Sequence, residues 1–307
     1  DMYLRMVEIG NQGANDLGYE GLTDLWFSKY DMPAEDFLDE TDRVWDELKP
    51  LYDALHCHVR DELSNFYGED IVSKTGNLPA HVLGNMWGQS WANIYDLVYE
   101  AESNQSSSEI NLTNILSEKE IDEIEMVKIA EKFFISLGFE PLSDTFWERS
   151  LFVKPQDRNV VCHASAWDID SDIDDLRIKM CIERNAEDFS VIHHELGHIF
   201  YYQAYSDLPD IFQRGANDGF HEAVGDLLSL SITPNYLQKI GMVTAEEAAR
   251  ANSDPISLLM KQALDGVVSV PWTLMLDKWR AKVFTGETSP DDLNNSWWEL
   301  RKFYQGI

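Results

Sequence analysis

His193-His194-Glu195-Leu196-Gly197-His198, taken with Gly219-Phe220-His221-Glu222-Ala223-Val224-Gly225-Asp226, decides how this chain is read. The first stretch contains the pattern HExxH. On a helix, His194 and His198 are four residues apart and share one face, so two imidazoles can grip one zinc ion. Glu195, one residue round the helix, then reaches a water on that ion as general base. The second stretch supplies a third ligand, Glu222, 24 residues after His198. Asp226, one turn beyond, is placed to hold the outer nitrogen of a ligating histidine. Three protein ligands leave a fourth position open, the arrangement a catalytic zinc needs.

Both stretches sit in helical patterns. Phe189, Ile192, Leu196, Ile199 and Phe200 give the first an apolar face, and Val224, Leu227, Leu228 and Leu230 do the same for the second. HExxH alone also fits an exposed amphipathic helix with two solvated histidines; the paired stretches favour a zinc hydrolase.

Outward from this centre the chain reads as mostly helical. A long helical period runs over 34–66 with a break near Pro50. Residues 83–99 are apolar and rich in tryptophan, which predicts a buried helix. A polar loop spans about 101–116, and a helix over about 118–136 stops at Gly138. Residues 159–167 look extended, as an edge strand. Beyond the two zinc helices, further helices are predicted over about 235–240, 245–251, 255–267, 270–284 and 290–304. The first residues, from Asp1, already read as a helix in mid-course. There is no internal repeat and no glycine-rich phosphate loop.

The 307 residues suffice for one large domain or two subdomains, and a hydrophobic content of 44% favours a globular fold. Lys and Arg number 24 against 55 Asp and Glu, a formal net charge of −31. Such a field repels nucleic acid and anionic membrane surfaces. No apolar run approaches a membrane span, and the first residues are not a signal peptide. Cys162 and Cys181 flank a polar loop and could close it as a disulfide, leaving Cys57 over; that count does not fix the redox compartment. Sequons at Asn104, Asn111 and Asn294 lean towards secretion and glycosylation.

Other constellations are weaker. Asp168-Ile169-Asp170-Ser171-Asp172-Ile173-Asp174 alternates like a calcium loop but lacks its sixth-position glycine, and Lys179 stands in place of its twelfth-position glutamate. It reads as a solvated acidic loop. His56 and His58, two apart, point to different sides of a helix and read as structural. Trp87, Trp91, Trp297 and Trp298 read as core. His221 reads equally as a cleft residue or a packed one.

The residues resemble the angiotensin-converting enzyme family of zinc dipeptidyl carboxypeptidases over nearly the whole chain. The similarity lies in Pro79-Ala80-His81-Val82-Leu83-Gly84-Asn85-Met86-Trp87-Gly88-Gln89-Ser90-Trp91, in Val161-Cys162-His163-Ala164-Ser165-Ala166-Trp167-Asp168, and in the zinc stretch. It continues in Arg214-Gly215-Ala216-Asn217 and in Trp297-Trp298-Glu299-Leu300-Arg301-Lys302-Phe303-Tyr304-Gln305-Gly306.

The resemblance implies a mainly α fold: a large helical zinc-peptidase domain with a deep central cleft and a very small β component. It implies zinc held by His194, His198 and Glu222, with Glu195 as base and then proton shuttle and Asp226 orienting His194. His163 and the Ala164 backbone would bind an oligopeptide substrate lying as an added strand. Gln89 would help hold the substrate's C-terminal carboxylate, and Glu187 and Asp188 would line the primed-side pocket. Tyr30 resembles a residue beside a family chloride site, chloride being the implied activator. Cys162 and Cys181 match a family disulfide; Cys57 matches none. No partner protein is implied, and the setting is extracellular, either secreted or the ectodomain of a membrane-anchored protein.

Gln89 also discriminates between branches. The single-residue carboxypeptidases of the family carry arginine there, whereas glutamine favours release of a C-terminal dipeptide. Arg214 stands where the family has an acidic residue near the cleft, and Gly266 and Ser269 where it has lysine and phenylalanine. The family's domain also starts earlier and runs on past Ile307, so the resemblance makes residues 1–307 an internal part of one zinc metallopeptidase catalytic domain. The start and the C-terminal portion, with its carboxylate, oxyanion and chloride ligands, lie outside. The expectation is a peptidyl-dipeptidase, with a single-residue carboxypeptidase or a catalytically silent binding protein of the same fold as rivals.

Overall fold

The structure is a computed structural model that describes residues 2–99, 110–170 and 173–307. It is mainly α, with two short strands among the described residues. The chain divides into two compact units, one formed by 1–107 with 254–307 and the other by 108–253.

In the first unit, α1 (Met2–Asp16) and α2 (Leu22–Phe27) precede α3 (Ala34–Tyr67). The helix α3 runs straight through Pro50, where a break was predicted. Proline lacks the N–H that would bond the Asp46 carbonyl and costs about 3 kcal/mol in a helix interior. Burial of Trp45, Tyr52, Leu55, Val59 and Leu63 at helical spacing on both sides offsets that cost. The predicted buried helix over 83–99 is instead irregular up to a 3₁₀ turn at Ala92–Ile94 and one turn of α4 (Tyr95–Val98), with another 3₁₀ turn at Ala80–Val82 just before it. Gly84 and Gly88 have φ of 84° and 60°, the left-handed region that a continuing helix cannot use. The rest of the unit is α12 (Pro255–Gln262), α13 (Val268–Phe284) and α14 (Leu293–Leu300), with one-turn π segments at Ala263–Val267 and Arg301–Gln305.

His56 and His58 are structural: His56 Nε2 lies 3.0 Å from the Gly306 carbonyl and His58 Nε2 2.7 Å from that of Val98. Trp91 is fully buried and Trp297 packs on the core, but Trp87 and Trp298 are partly exposed, against the expectation of core. Trp298 instead lies under the Arg301 guanidinium, 5.2 Å from its ring centroid.

The second unit carries the paired stretches. It runs α5 (Leu112–Glu118), α6 (Glu123–Ser136), α7 (Asp144–Arg149), β1 (Ser165–Asp170), β2 (Asp175–Lys179), α8 (Ala186–Ser206), α9 (Asp218–Ser229), α10 (Pro234–Lys239) and α11 (Ala245–Asn252). The helix predicted over 118–136 is α6, which starts only at Glu123 behind the Asp122 cap because Glu120 turns to a φ of 55°, and α5 occupies 112–118, where a polar loop was expected up to 116. The strands form an antiparallel hairpin with Ser165 opposite Lys179. The predicted strand therefore lies later than expected, and Asp168 and Asp170, read as part of a free acidic loop, belong to β1. The rest of that segment includes 171 and 172, which lie outside the described residues. Phe189, Ile192, Leu196, Ile199 and Phe200 of α8 are all buried and join α6 and the hairpin in one apolar cluster.

Candidate metal centre

Asn185 caps α8 by accepting the Asp188 N–H, and Asn217 caps α9 by accepting the Phe220 N–H. Each cap fixes the helical phase of the residues that follow. Helix α9 then lies along α8, where Gly197 faces Gly225 with almost no side-chain volume between them. The apolar face expected for α9 is packed only in part: Leu228 lies against the apolar cluster and Val224 is half-buried, but Leu227 and Leu230 are exposed, and Gly225 is the residue the helix buries fully. The close helix approach adds to the packing of Leu228 and turns Glu222 towards the histidines. Glycine in both stretches was the available signal, and the sequence reading missed it.

The structure brings His194, His198 and Glu222 together, with ligand atoms within 4.8 Å of one another. His194 Nε2 is 3.1 Å from His198 Nε2 and 3.2 Å from Glu222 Oε2, and His198 Nε2 is 3.7 Å from that oxygen. Zinc donors at about 2.0–2.1 Å from the ion and tetrahedral angles lie roughly 3.3–3.4 Å from one another, so the donor set fits that metal. His194 Nδ1 meets Asp226 Oδ1 at 3.0 Å, which fixes the tautomer that leaves Nε2 free to ligate. His198 Nδ1 meets His221 Nδ1 at 2.8 Å, a partner the sequence reading did not assign.

The electrostatics separate the groups. The hydrogen bond to Glu222 holds the His194 pKa above its ordinary value, and the same bond lowers that of Glu222. Burial pulls His198 down to about 4, which keeps that ring neutral. Glu195 is 5% exposed, and burial raises its pKa towards the range of a general base. Its Oε2 is buried with no hydrogen-bond partner, an unspent acceptor beside the donor triad.

On the His194 side of the triad is a cavity of about 460 Å³ lined by His163, Ala164, Glu187, Asp188, His194, Glu195 and Asp226, among others. Glu187 and Asp188 belong to the first turn of α8, and Asp188 Oδ2 accepts the Glu183 N–H at 2.6 Å. Burial raises the Asp188 pKa. His163 and Ala164 lead into β1, and the His163 Nδ1 lies 2.7 Å from the Ala164 carbonyl oxygen. Cys162 and Cys181 form a disulfide beside them, with Cα atoms 5.1 Å apart, and Cys57 is free and exposed.

Gln89 and Tyr30 belong to the other unit. Gln89 Oε1 is buried without a hydrogen-bond partner among the described residues, and Tyr30 packs on Phe27 and Phe37. Asn111 caps α5, and Asn294 lies exposed on α14. Asn104 lies outside the described residues. No helix among the described residues is long and apolar enough to cross a membrane.

The whole chain, residues 1–307, matches the Peptidase_M2 family, described as angiotensin-converting enzyme. It is 44% identical over 306 residues to angiotensin-converting enzyme of Bos taurus, covering 99% of this chain and 23% of that protein. The same name belongs to a relative in Sus scrofa at 44% identity with the same coverage. One in Theromyzon tessulatum is 40% identical over 311 residues, covering 49% of that protein. The chain therefore spans about a quarter of the length of the mammalian relatives and about half of the Theromyzon one.

Proposed function

The chain belongs to the angiotensin-converting enzyme family, and from that membership we propose that it supplies the metal site and general base of a zinc peptidyl-dipeptidase. The observation that carries this reading is the set of three donors His194, His198 and Glu222 beside the buried, unpartnered Oε2 of Glu195. Zinc bound there would polarise the scissile carbonyl and lower the pKa of an attacking water. Glu195 takes that water's proton, and its raised pKa lets it hold the proton and pass it to the leaving amine. Asp226 keeps His194 in its ligating tautomer.

In this reading an oligopeptide lies as an added strand, bonded by the Ala164 backbone and His163, with Glu187 and Asp188 beside its C-terminal residues. Gln89 assists in holding the terminal carboxylate, which selects a dipeptide over a single residue as the leaving part. Tyr30 borders a chloride site that activates the enzyme. Residues 1–307 are an internal part of one catalytic domain, in an extracellular protein glycosylated at Asn104, Asn111 and Asn294.

The test is zinc content and turnover together: one zinc per chain, with hydrolysis of a short unblocked peptide abolished by chelation and restored by zinc. Zinc bound without turnover in the protein carrying this chain would favour the silent binding protein, and release of single residues the carboxypeptidase.

A further inference from the structure

The two metal-facing histidines differ in what holds their outer nitrogens. His194 Nδ1 faces a carboxylate oxygen of Asp226, which can only accept. His198 Nδ1 faces another ring nitrogen, His221 Nδ1, at 2.8 Å. A contact of that length between two imidazole nitrogens needs one proton between them, so one ring donates and the other accepts. A His198 that offers the lone pair of Nε2 to a metal carries its own proton on Nδ1. His221 must then accept at Nδ1 and keep its proton on Nε2.

We infer that His221 is a positioning residue, which fixes the tautomer and ring orientation of His198 by accepting its Nδ1–H. The inference rests on the metal-site reading above. His221 is held for the task. Its ring lies between those of Tyr201 and Tyr202, with centroids 4.7 Å from each. Gly215 closes the remaining side: a Cβ there would lie 2.8 Å from His221 Cδ2. Tyr201 is itself anchored, its hydroxyl accepting the Ala216 N–H at 3.2 Å. Among the described residues His198 is the only hydrogen-bond partner of the His221 ring, whose Nε2 has none. The ring is thus packed tightly while its one polar contact is spent on a candidate ligand.

The experiment measures zinc affinity by competition with a chromophoric chelator in the protein carrying this chain, for wild type, His221→Phe and His221→Asn. Phenylalanine keeps the ring between the tyrosines and removes the acceptor; asparagine loses the ring and keeps an acceptor oxygen near the Nδ1 position. The expected result is affinity about 10- to 100-fold weaker in His221→Phe and largely recovered in His221→Asn. A residue needed only for packing gives the reverse order, and that order, or wild-type affinity in His221→Phe, overturns the inference. Nitrogen-15 NMR of wild type gives a second reading that needs no variant: His198 in the zinc-loaded protein carries its proton on Nδ1, and a proton on neither or only on Nε2 is contrary. Wild type that takes up no zinc would instead remove the metal-site reading itself.

Discussion

Gly197 of α8 and Gly225 of α9 meet backbone to backbone: a Cβ on Gly197 would lie 3.0 Å from Gly225 Cα, and one on Gly225 would fall 2.7 Å from His194 Nδ1. This missing volume lets α9 lie close enough for Glu222 Oε2 to reach within 3.2 Å of His194 Nε2. The metal donors are therefore set by a helix crossing, not only by their spacing along the chain.

Gly225→Ala is predicted to damage the site. Alanine's helix propensity favours the variant by about 0.8–1 kcal/mol. Overpacking costs about 1–3 kcal/mol, and the atom struck is a ring pinned by Asp226 and Glu222 rather than the loose end of a flexible side chain. The expected outcome is a lower melting temperature and zinc affinity reduced at least about tenfold, on the scale of a lost outer contact. Gly266→Ala serves as control, since a Cβ there meets nothing within 4 Å. Equal zinc affinity in Gly225→Ala and wild type would show that the crossing tolerates a methyl group.

Asp226→Ala removes the acceptor from His194 Nδ1 and leaves the three donors in place. Zinc binding should weaken about 10- to 100-fold, while the metal-free protein melts close to wild type because the Asp226 side chain is 73% exposed. An unchanged dissociation constant would mean that packing alone orients His194.

Asp175 gives a pH signature away from the metal. Arg177 Nε and Arg149 Nη1 each donate to its carboxylate at 2.6 Å, tying α7 to β2. The hydrogen bonds from Arg177, with Arg149 adding to them, hold its pKa below the ordinary Asp value. A carboxyl depressed in the folded state contributes stability that is fully present above the unfolded pKa of about 3.9 and is lost as pH falls through the folded value. Asp175→Asn should therefore melt lower at neutral pH, and its melting temperature should fall less steeply than wild type on acidification below about pH 4. Parallel curves for the two proteins would rule out this linkage.

What the sequence made legible, it made legible through fixed geometry. Residues four apart on a helix share a face, so His194 and His198 could be paired before any fold was known. The predominance of helix and the burial of Phe189, Ile192, Leu196, Ile199 and Phe200 followed from the same period. What it hid depended on backbone conformation and on neighbours remote in sequence. The apolar run over 83–99 carried no sign that Gly84 and Gly88 turn left-handed. Of the face predicted for α9, Leu228 packs but Leu227 and Leu230 do not, because the helix docks through Gly225 as well. His221 could not be assigned because its partner, His198, is 23 residues away on another helix.

Product analysis of a short unblocked peptide tests the proposed chemistry most directly. The protein carrying this chain would be incubated with the peptide beside its Glu195→Gln variant, and the products weighed by mass spectrometry. A peptidyl-dipeptidase using Glu195 as base releases successive dipeptides from the C-terminus, and the variant keeps its zinc while losing about 10²–10⁴-fold in rate. Release of single residues, or equal turnover by the zinc-loaded variant, would contradict it.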